Sequence, residues 1–304
     1  MSKVIRIGTR NSPLALWQAN VVKSQLERLG YQTQLIPITS TGDIVLDKPL
    51  YELGITGIFT KTLDVAMIQG QIDIAVHSMK DVPTLLPKGI IQTAVLKRAS
   101  HDDILVTKEL FNYEEECTIA TGSLRRKAQW LNRYPHHKVV GLRGNVNTRL
   151  QSLADSDWQG AIFAKAGLER IDLLPENYQD LHWMIPAPAQ GAMVVVANEE
   201  DTFCVEATSK LNHKDSQICT GIEREFLRVL EGGCTAPIGA FAEVIKDKIL
   251  FKGILLSLDG KEKIEIEETA SINQMEGFGR KCAEHILSNG GKALMQQIKN
   301  EMSK

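Results

Sequence analysis

Short apolar segments alternate with helical patterns along the N-terminal part of the sequence. VIRIG (4–8), QTQLIPIT (32–39) and IDIAVHS (72–78) have the length and apolar content of strands. A nearly continuous apolar segment such as IDIAVHS is typical of a strand that is buried on both faces of a parallel sheet. Helical patterns separate these strands, which predicts an α/β fold with helices packed against a sheet.

The sequence also predicts where the first helix begins and ends. Ser12 is a suitable N-cap, and Pro13 suits the first helical position, where the N–H that proline lacks has no partner within the helix. Gly30 is expected to end this helix, because glycine readily adopts the left-handed conformation that follows many helices. A second helical pattern covers residues 58–69.

A second series of strands and helices follows. TIATG (118–122), KVVGL (138–142) and GAIFA (160–164) are interpreted as strands. Each precedes a helical pattern, the first from Ser123 and the second from about Asn145. After these, the segment PAPAQGAMVVVANEE is interpreted as a crossover that returns the chain to a strand, so that the two series form two hinged lobes.

The pattern changes in the C-terminal part. A helical stretch at 215–230 precedes AFAEVIKD, KILFKGILLSLDG and KIEIEETAS, whose alternating polarity predicts an antiparallel meander. Helical patterns near 276–288 and 291–302 close the chain. Strands followed by helices in this way predict a third domain of the α+β class.

Composition and charge exclude several classes of protein. The chain has 304 residues, of which 43% are hydrophobic and 24% charged, as in globular proteins with more than one core. A net charge of −2 provides no overall field for nucleic acid, and no apolar run is long enough to cross a bilayer. The N-terminal sequence MSKVIRIGTRNS lacks the apolar segment of a signal peptide, so a cytoplasmic protein is expected.

One cysteine lies in the glycine-rich bend EGGCTAPIGA (231–240) and needs an explanation of its own. The chain has 5 cysteines and no C-x-x-C pair, which argues against a disulfide framework and against a zinc knuckle. The 7 histidines show no metal-ligand spacing, so no metal is expected. The role of a small buried hydrophobe is expected for Cys117, Cys204, Cys219 and Cys282.

Polar and basic residues are concentrated in loops at the predicted carboxyl ends of strands, where open α/β sheets bind their ligands. These loops are GTRNS (8–12), HSMKD (77–81), ATGSLRR (120–126) and GLRGNVNTR (141–149). Helix-starting N–H groups and planar guanidinium groups suit carboxylate or phosphate. Together the loops predict one cleft for a ligand with several negative groups. Each loop taken alone has a simpler interpretation. ATGSLRR could be a capped helix with surface arginines, and Lys80 and Asp81 could form a solvated turn.

A set of motifs in one order carries a resemblance to a known family. The motifs are RIGTRNSPLALWQA, DIAVHSMKDVP, GSLRRKAQ, LRGNVNTRL, PAPAQGA and EGGCTAPIG, between about residue 4 and about residue 245. As a set they resemble the porphobilinogen deaminases, also called hydroxymethylbilane synthases. The resemblance implies two hinged α/β lobes of periplasmic-binding-protein-like type and a C-terminal α+β domain. The implied domain limits are 1–97 with 193–212, then 98–192, then 213–304.

The same resemblance implies a transferase of tetrapyrrole and haem biosynthesis. It would condense four porphobilinogen molecules into linear hydroxymethylbilane and release ammonia each time. A dipyrromethane cofactor, attached through a cysteine thioether, would prime the chain, and Cys234 matches the attachment position. A thiolate is a suitable nucleophile for the electrophilic azafulvene that porphobilinogen forms when it loses ammonia. The resemblance further implies a monomer with no obligate protein partner.

The resemblance assigns site residues motif by motif. Asp81 matches the catalytic aspartate, and Lys80 lies beside it. The implied cofactor-binding residues are Cys234, Ser78, Lys80, Asp81, Thr121, Gly122, Ser123, Arg125, Arg126, Arg143, Gly144 and Gln190. The implied substrate-binding residues are Arg10, Ser12, Gln18, Phe59, Arg149 and Arg170. Each pyrrole carries an acetate and a propionate, which accounts for so many bidentate arginine donors.

The sequence departs from the family pattern in the segment ELGITGIFTKTL (52–63). Glu52 and Thr56 stand where the family usually has lysines, which predicts weaker contact between this segment and the cofactor. PAPAQGA and TGSLRR also differ slightly from the family's PAVGQGA and TSSLRR.

Two alternatives to this enzymatic function are kept. One is a non-enzymatic two-lobe polycarboxylate-binding protein, which leaves Cys234 without a role, and the other is an inactive paralogue.

Overall fold

A computed structural model of the chain describes residues 3–39, 60–231 and 236–302. Residues that the sequence singled out but that lie outside these ranges are Glu52, Thr56, Phe59 and Cys234. Within the described ranges, no helix is both long and apolar enough to cross a membrane.

The first lobe consists of β1 (Val4–Arg10), α1 (Pro13–Arg28), β2 (Gln32–Ile38), α2 (Lys61–Ile68), β3 (Ile74–Ser78), β4 (Ile90–Val95), β10 (Met193–Asn198) and α6 (Thr202–Ser209). Its five strands have the order β2-β1-β3-β10-β4. β1 pairs in parallel with β2 and β3, whereas β10 runs antiparallel to both β3 and β4. The predicted strand 72–78 is therefore buried in a mixed sheet rather than a purely parallel one.

The first helix begins and ends as the sequence predicts. The Ser12 hydroxyl accepts a hydrogen bond from the Ala15 N–H at 3.3 Å, and Pro13 is the first helical residue. Gly30 follows the helix with φ +88°, the left-handed conformation that glycine adopts without steric cost. Cores on both faces of the sheet then hold the lobe together, because α1 covers one face and α2 the other.

The second lobe consists of β5 (Asp103–Thr107), β6 (Thr118–Ala120), α3 (Leu124–Arg133), β7 (Lys138–Val140), α4 (Val146–Asp155), β8 (Gly160–Ala164), α5 (Lys165–Glu169) and β9 (Tyr178–Asp180). Its five strands have the order β7-β6-β8-β5-β9. α3 and α4 begin where the sequence predicts, and Ser123 and Asn145 are their N-caps, with side chains that accept from the N–H groups of Arg126 and Thr148.

Two segments connect the lobes. The chain leaves the first sheet after β4, and it returns from the second lobe through residues 181–192 into β10, which lies between β3 and β4. This is the crossover that the sequence predicted for PAPAQGAMVVVANEE. Because β10 is an inner strand with helices on both faces, Val194, Val195 and Val196 are buried. The residue limits of the domains stay a prediction.

The third unit consists of α7 (Lys214–Val229), β11 (Ile238–Ile245), β12 (Lys248–Leu256), β13 (Lys263–Ser271), α8 (Phe278–Ile286) and α9 (Lys292–Met302). The three strands form an antiparallel meander, as predicted. Phe226 of α7, Phe251 of β12 and Phe278 of α8 pack together in its core. The predicted fold class, two α/β lobes and a C-terminal α+β unit, is confirmed.

Candidate active site

The loops that the sequence singled out meet at one cleft between the two lobes. The cavity there has a volume of about 460 Å³, within the roughly 300–1,000 Å³ range of small-molecule sites. The predicted site residues that line it are Arg10, Ser12, Ser78, Lys80, Asp81, Arg126, Arg143, Gly144 and Arg149. In the part of the chain that the structure describes, the cleft therefore combines one carboxylate, Asp81 of the first lobe, with guanidinium groups from both lobes.

Asp81 and Lys80 lie on a single turn of 3-10 helix, Met79–Asp81, at the carboxyl end of β3. The Met79 N–H donates to the Ala192 carbonyl at 3.0 Å, and the Val82 N–H donates back to the Met79 carbonyl at 3.2 Å. Burial lowers the pKa of the Lys80 ammonium to about 8, and Asp81 beside it acts in the opposite direction. The turn thus presents two adjacent ionisable groups to the cavity.

Ser78, the last residue of β3, is held from behind by a glutamine. The Gln18 amide Nε2 donates to the Ser78 Oγ at 2.8 Å, and Gln18 is only 2% exposed. Gln18 was predicted to bind substrate. Its side chain lies behind the cavity wall, where it orients the Ser78 hydroxyl, and its predicted substrate contact stays a prediction.

A buried ionic cluster lies behind the second-lobe side of the cleft, centred on Asp103 at the start of β5. Arg125 Nη1 donates to Asp103 Oδ2 at 2.7 Å, and Arg126 Nε donates to Asp103 Oδ1 at 2.9 Å. Gln190 Nε2 donates to Asp103 Oδ1 at 3.0 Å. Burial alone raises the pKa of a carboxyl, but Arg125 and Arg126 hold the pKa of Asp103 well below its usual range.

This cluster divides the predicted cofactor residues into two groups. Arg126 lines the cavity, whereas Arg125 and Gln190 do not. Arg125 Nη1 also donates to the Ile185 carbonyl at 2.8 Å, which fixes its guanidinium against the crossover. The sequence did not identify Asp103 as a functional candidate, because nothing in its local pattern indicates that two arginines more than twenty residues away will contact it.

The Thr121–Ser123 segment forms the predicted helix start but lies outside the cavity wall. The Thr121 hydroxyl accepts from the Ser123 N–H at 3.3 Å, and Ser123 in turn caps α3. A Cβ at Gly122 would lie 2.4 Å from the Leu142 carbonyl oxygen, so only glycine fits there. Backbone packing accounts for this glycine, and its predicted cofactor contact stays a prediction.

Arg143, Gly144 and Arg149 bring positive charge to the opposite wall. Gly144 has φ +96°, and its carbonyl accepts a hydrogen bond from Arg149 Nε at 2.8 Å. The pKa of Arg149 is lowered to about 10, mainly by burial and also by nearby Arg126 and Arg143, while Asp81 acts in the opposite direction. These mutual influences place Arg126, Arg143, Arg149 and Asp81 in one electrostatic neighbourhood rich in positive charge, which suits a ligand with several carboxylates.

Arg170 was predicted to bind substrate but does not line the cavity. Its Nη2 donates to the Gly191 carbonyl at 2.7 Å, and its guanidinium lies 5.6 Å from the centre of the Trp17 ring. Burial lowers its pKa to about 10. In this conformation Arg170 connects α5 of the second lobe to the crossover and to α1 of the first lobe.

Comparison with protein families identifies the chain. A model described as "Porphobilinogen deaminase, dipyromethane cofactor binding domain" matches residues 5–206, and the model of the C-terminal domain matches residues 217–288. The chain belongs to the porphobilinogen deaminase family. All the loops of the cleft fall within the cofactor-binding domain, so the predicted dipyrromethane cofactor agrees with the family.

Porphobilinogen deaminases of several organisms are similar to this chain over nearly its whole length. The protein of Syntrophotalea carbinolica is 39% identical over 98% of this chain and 96% of its own. That of Pelobacter propionicus is 37% identical over 97% of both chains. The chloroplastic protein of rice (Oryza sativa subsp. japonica) is 38% identical over 97% of this chain and 86% of its own.

Two solved structures are similar to part of this chain. The VFT2 domain of Bordetella pertussis BvgS (double mutant F375E/Q461E) matches 68% of this chain and 86% of its own, with a TM-score of 0.43 and 12% identity. A periplasmic substrate-binding protein of an ABC transporter from Coxiella burnetii matches 68% of this chain and 91% of its own, with a TM-score of 0.43 and 16% identity.

The cleft fits the dipyrromethane that this family domain is named for. A pyrrole dimer with acetate and propionate groups needs several cationic donors and one acceptor for its ring N–H groups. Arg126, Arg143 and Arg149 supply guanidinium groups at the wall, and Asp81 supplies the acceptor. Among the residues that the structure describes, no group of histidine, cysteine and acidic side chains is arranged to hold a metal ion.

Proposed function

We propose that this chain condenses four porphobilinogen molecules into linear hydroxymethylbilane, with release of ammonia, on a dipyrromethane primer attached to Cys234. One observation carries the proposal: among the described residues that line the cleft, Asp81 is the only carboxylate, and the other charged groups there include Arg126, Arg143 and Arg149. Family membership supports the enzyme over a non-enzymatic binding protein, because the family model that matches most of the chain is named for this cofactor.

The arginines bind the carboxylates of the cofactor, the substrate and the growing chain. Arg126, Arg143 and Arg149 contribute from the second lobe and Arg10 from the first, so the ligand is held from both sides. Planar guanidinium groups bind carboxylates in bidentate fashion, which orients each pyrrole as well as holding it. Arg125 and Gln190 bind the Asp103 carboxylate and so help to position Arg126. Arg170 supports the cavity wall through its hydrogen bond to the Gly191 carbonyl.

Asp81 is the catalytic residue in this proposal. When bound, the cofactor supplies the pyrrole carbon at which the chain is extended. The Asp81 carboxylate accepts hydrogen bonds from pyrrole N–H groups and stabilises the positive charge that develops as ammonia leaves, in a cleft partly shielded from water. Lys80 Nζ, with its pKa of about 8, binds ligand carboxylates while protonated near neutral pH. Ser78, held by Gln18, orients the ligand by hydrogen bonding.

The remaining assignments are part of the same proposal. Domain 1 (1–97 with 193–212) carries Asp81, domain 2 (98–192) carries most of the cleft arginines, and domain 3 (213–304) carries Cys234. Ser12, Thr121, Gly122, Ser123 and Gly144 contribute hydrogen bonds, and Phe59 contacts the substrate pyrrole. A cytoplasmic monomer without an obligate protein partner completes the proposal.

A product assay tests it. Purified protein is incubated with porphobilinogen, and linear hydroxymethylbilane is followed by ammonia release and by its cyclisation to a porphyrinogen, which is oxidised with added iodine to a coloured porphyrin. Asp81→Ala is compared with Asp155→Ala, which removes an exposed carboxylate at the end of α4. We expect turnover in the wild type and in Asp155→Ala, and a loss of about 100-fold or more in Asp81→Ala. No product from the wild type would refute the proposal.

A further inference from the structure

Arg224 lies on α7 in the third unit, and its guanidinium contacts the turn of the first lobe that carries Asp81. Its Nη1 donates hydrogen bonds to the carbonyl oxygens of Met79 at 3.2 Å and Val82 at 2.9 Å. Its Nη2 donates to the Pro83 carbonyl at 2.6 Å. One planar cation thus binds three carbonyls of a single short segment.

These contacts fix the backbone on both sides of the two ionisable residues. Carbonyl oxygens carry partial negative charge and have two lone pairs, so a cation that bonds the Val82 and Pro83 carbonyls after the turn, and the second lone pair of the Met79 carbonyl within it, is favourable. The start of the turn is held separately, by the Met79 N–H that donates to Ala192 at 3.0 Å. Lys80 and Asp81 lie between these two anchor points and face the cavity.

The helix that carries Arg224 is itself bonded to both segments that connect the lobes. Glu223 is fully buried, and its two oxygens accept from the N–H groups of Ala189 at 2.6 Å and Ala242 at 2.7 Å. Arg98 Nη1 also donates to Glu223 Oε1 at 2.6 Å. Because this side chain joins α7 to both segments between the lobes, α7 is a fixed support for the turn.

The same helix leads toward the cofactor attachment residue. α7 ends at Val229, Leu230 is buried in the core of the third unit, and Cys234 follows a few residues later in the sequence. The group that holds the Asp81 turn therefore lies on the helix that precedes the residue proposed to hold the cofactor.

We propose that Arg224 is a positioning residue, which sets the location of Asp81 and Lys80 relative to the cofactor on Cys234. This proposal rests on the proposed function. Arg224 does not line the cavity, so it acts through the turn and not on the ligand. A displacement of about 1 Å in a reacting group can lower a rate by about 100-fold, so loss of this anchor is expected to slow catalysis more than binding.

The test compares Arg224→Ala and Arg224→Lys with Arg228→Ala, which removes an exposed arginine from the same helix. Each full-length variant is assayed with porphobilinogen for kcat and KM, and its cofactor content is measured by intact mass. We expect Arg224→Ala to retain the cofactor, to keep KM within about threefold and to lose about 10- to 100-fold in kcat. Arg224→Lys should be intermediate, since an ammonium lacks the planar fork. Arg228→Ala should resemble the wild type.

Hydrogen exchange supplies a readout that does not depend on turnover. Exchange in a peptide covering residues 79–83 should increase in Arg224→Ala, while a peptide from β5 should be unchanged. If Arg224→Ala does not fold, Arg224→Lys decides, with the same expected increase and a reduced kcat. Wild-type kcat in the Arg224 variants, or losses that only follow cofactor content, would overturn the proposal. A wild type without product would instead refute the proposed function on which it rests.

Discussion

Arg125 and Asp103 form an ion pair with a 2.7 Å separation, and their side chains are only 4% and 0% exposed. Arg126 contacts the other oxygen of the same carboxylate at 2.8 Å. Two guanidinium groups therefore share one buried anion directly behind the cleft. Because an uncompensated charge in a protein interior is very unfavourable, Asp103 is what allows an arginine-rich wall to fold before any ligand carboxylate is present.

Removing the Asp103 charge should therefore affect stability and cofactor binding together. We expect Asp103→Asn to lower the free energy of unfolding by about 3–5 kcal/mol, because both arginines lose a buried partner. Asp102→Asn is the control. Asp102 is 22% exposed and interacts with His101 and His182 at the surface, so its loss should cost about 0–1 kcal/mol. Chemical denaturation at pH 7 measures the free energy of unfolding of the two variants. Equal free energies of unfolding for Asp103→Asn and Asp102→Asn would contradict this role for Asp103.

Lys80 gives the reaction a predicted pH dependence. Burial lowers its pKa to about 8, and carboxylates of a bound ligand act to raise it, so the ammonium should be lost at or above pH 8. We expect KM for porphobilinogen to rise on this alkaline side. In Lys80→Arg the charge persists, so the rise in KM should move to higher pH. Steady-state kinetics from pH 6.5 to about 9.5 test this, and an unchanged alkaline profile in Lys80→Arg would show that another group is responsible.

Arg149 should matter most after the first additions, when the growing chain carries more carboxylates. Arg149→Leu is expected to slow elongation, so that partly extended enzyme intermediates accumulate, and Arg149→Lys should be impaired as well because lysine lacks the bidentate fork. Arg28→Leu, which changes an exposed arginine on α1, is the control. Intact-mass spectra during turnover show the distribution of intermediates. A distribution like that of the wild type in Arg149→Leu would argue against this assignment.

The environment of His137 should make the protein less stable at acidic pH. Its Nδ1 accepts a hydrogen bond from Trp130 Nε1 at 3.1 Å, its Nε2 lies 2.9 Å from the Tyr113 carbonyl oxygen, and burial lowers its pKa below the ordinary 6.5. The unfolded chain then binds more protons than the folded one. The stability that His137 contributes is thus complete above about pH 6.5 and is lost as the pH falls through the folded-state pKa.

Denaturation followed by tryptophan fluorescence at pH 7.5 and pH 5.5 measures this loss. It cannot exceed about 1.4 kcal/mol per pH unit for one group. His137→Gln should remove part of the difference between the two pH values, whereas His285→Gln, at an exposed position of α8, should keep it. The same pH dependence in all three proteins would exclude His137 as its source.

Local chemistry explains why much of the fold was predictable. Ser12, Ser123 and Asn145 cap their helices through contacts with residues three positions along the chain, and such contacts are encoded in short stretches of sequence. The antiparallel meander follows from its alternating polarity in the same way. By contrast, the strands β4, β5 and β9 and the helix α6 were not predicted. These strands are short, and their sheet partners lie far away in sequence.

Some features of the site could be predicted from local sequence, and others could not. The loops at the carboxyl ends of strands were predicted to converge, and the residues that line the cavity come from them. Which arginines face the ligand could not be predicted, because that depends on distant partners. Arg125 contacts Asp103, Arg170 contacts the Gly191 carbonyl, and Arg224 contacts the turn of Asp81. None of these pairs leaves a signal in a local motif.

Intact mass of the denatured protein, before and after a short pulse of porphobilinogen, shows whether a pyrrole chain grows on Cys234. We expect a resting mass equal to the polypeptide plus two linked pyrrole units, and a series of heavier species that each add one porphobilinogen minus ammonia. Cys234→Ser should show the bare polypeptide and no series. A wild type that has the bare mass and gains nothing from porphobilinogen would refute a covalent pyrrole primer, and an identical adduct on Cys234→Ser would refute its attachment to Cys234.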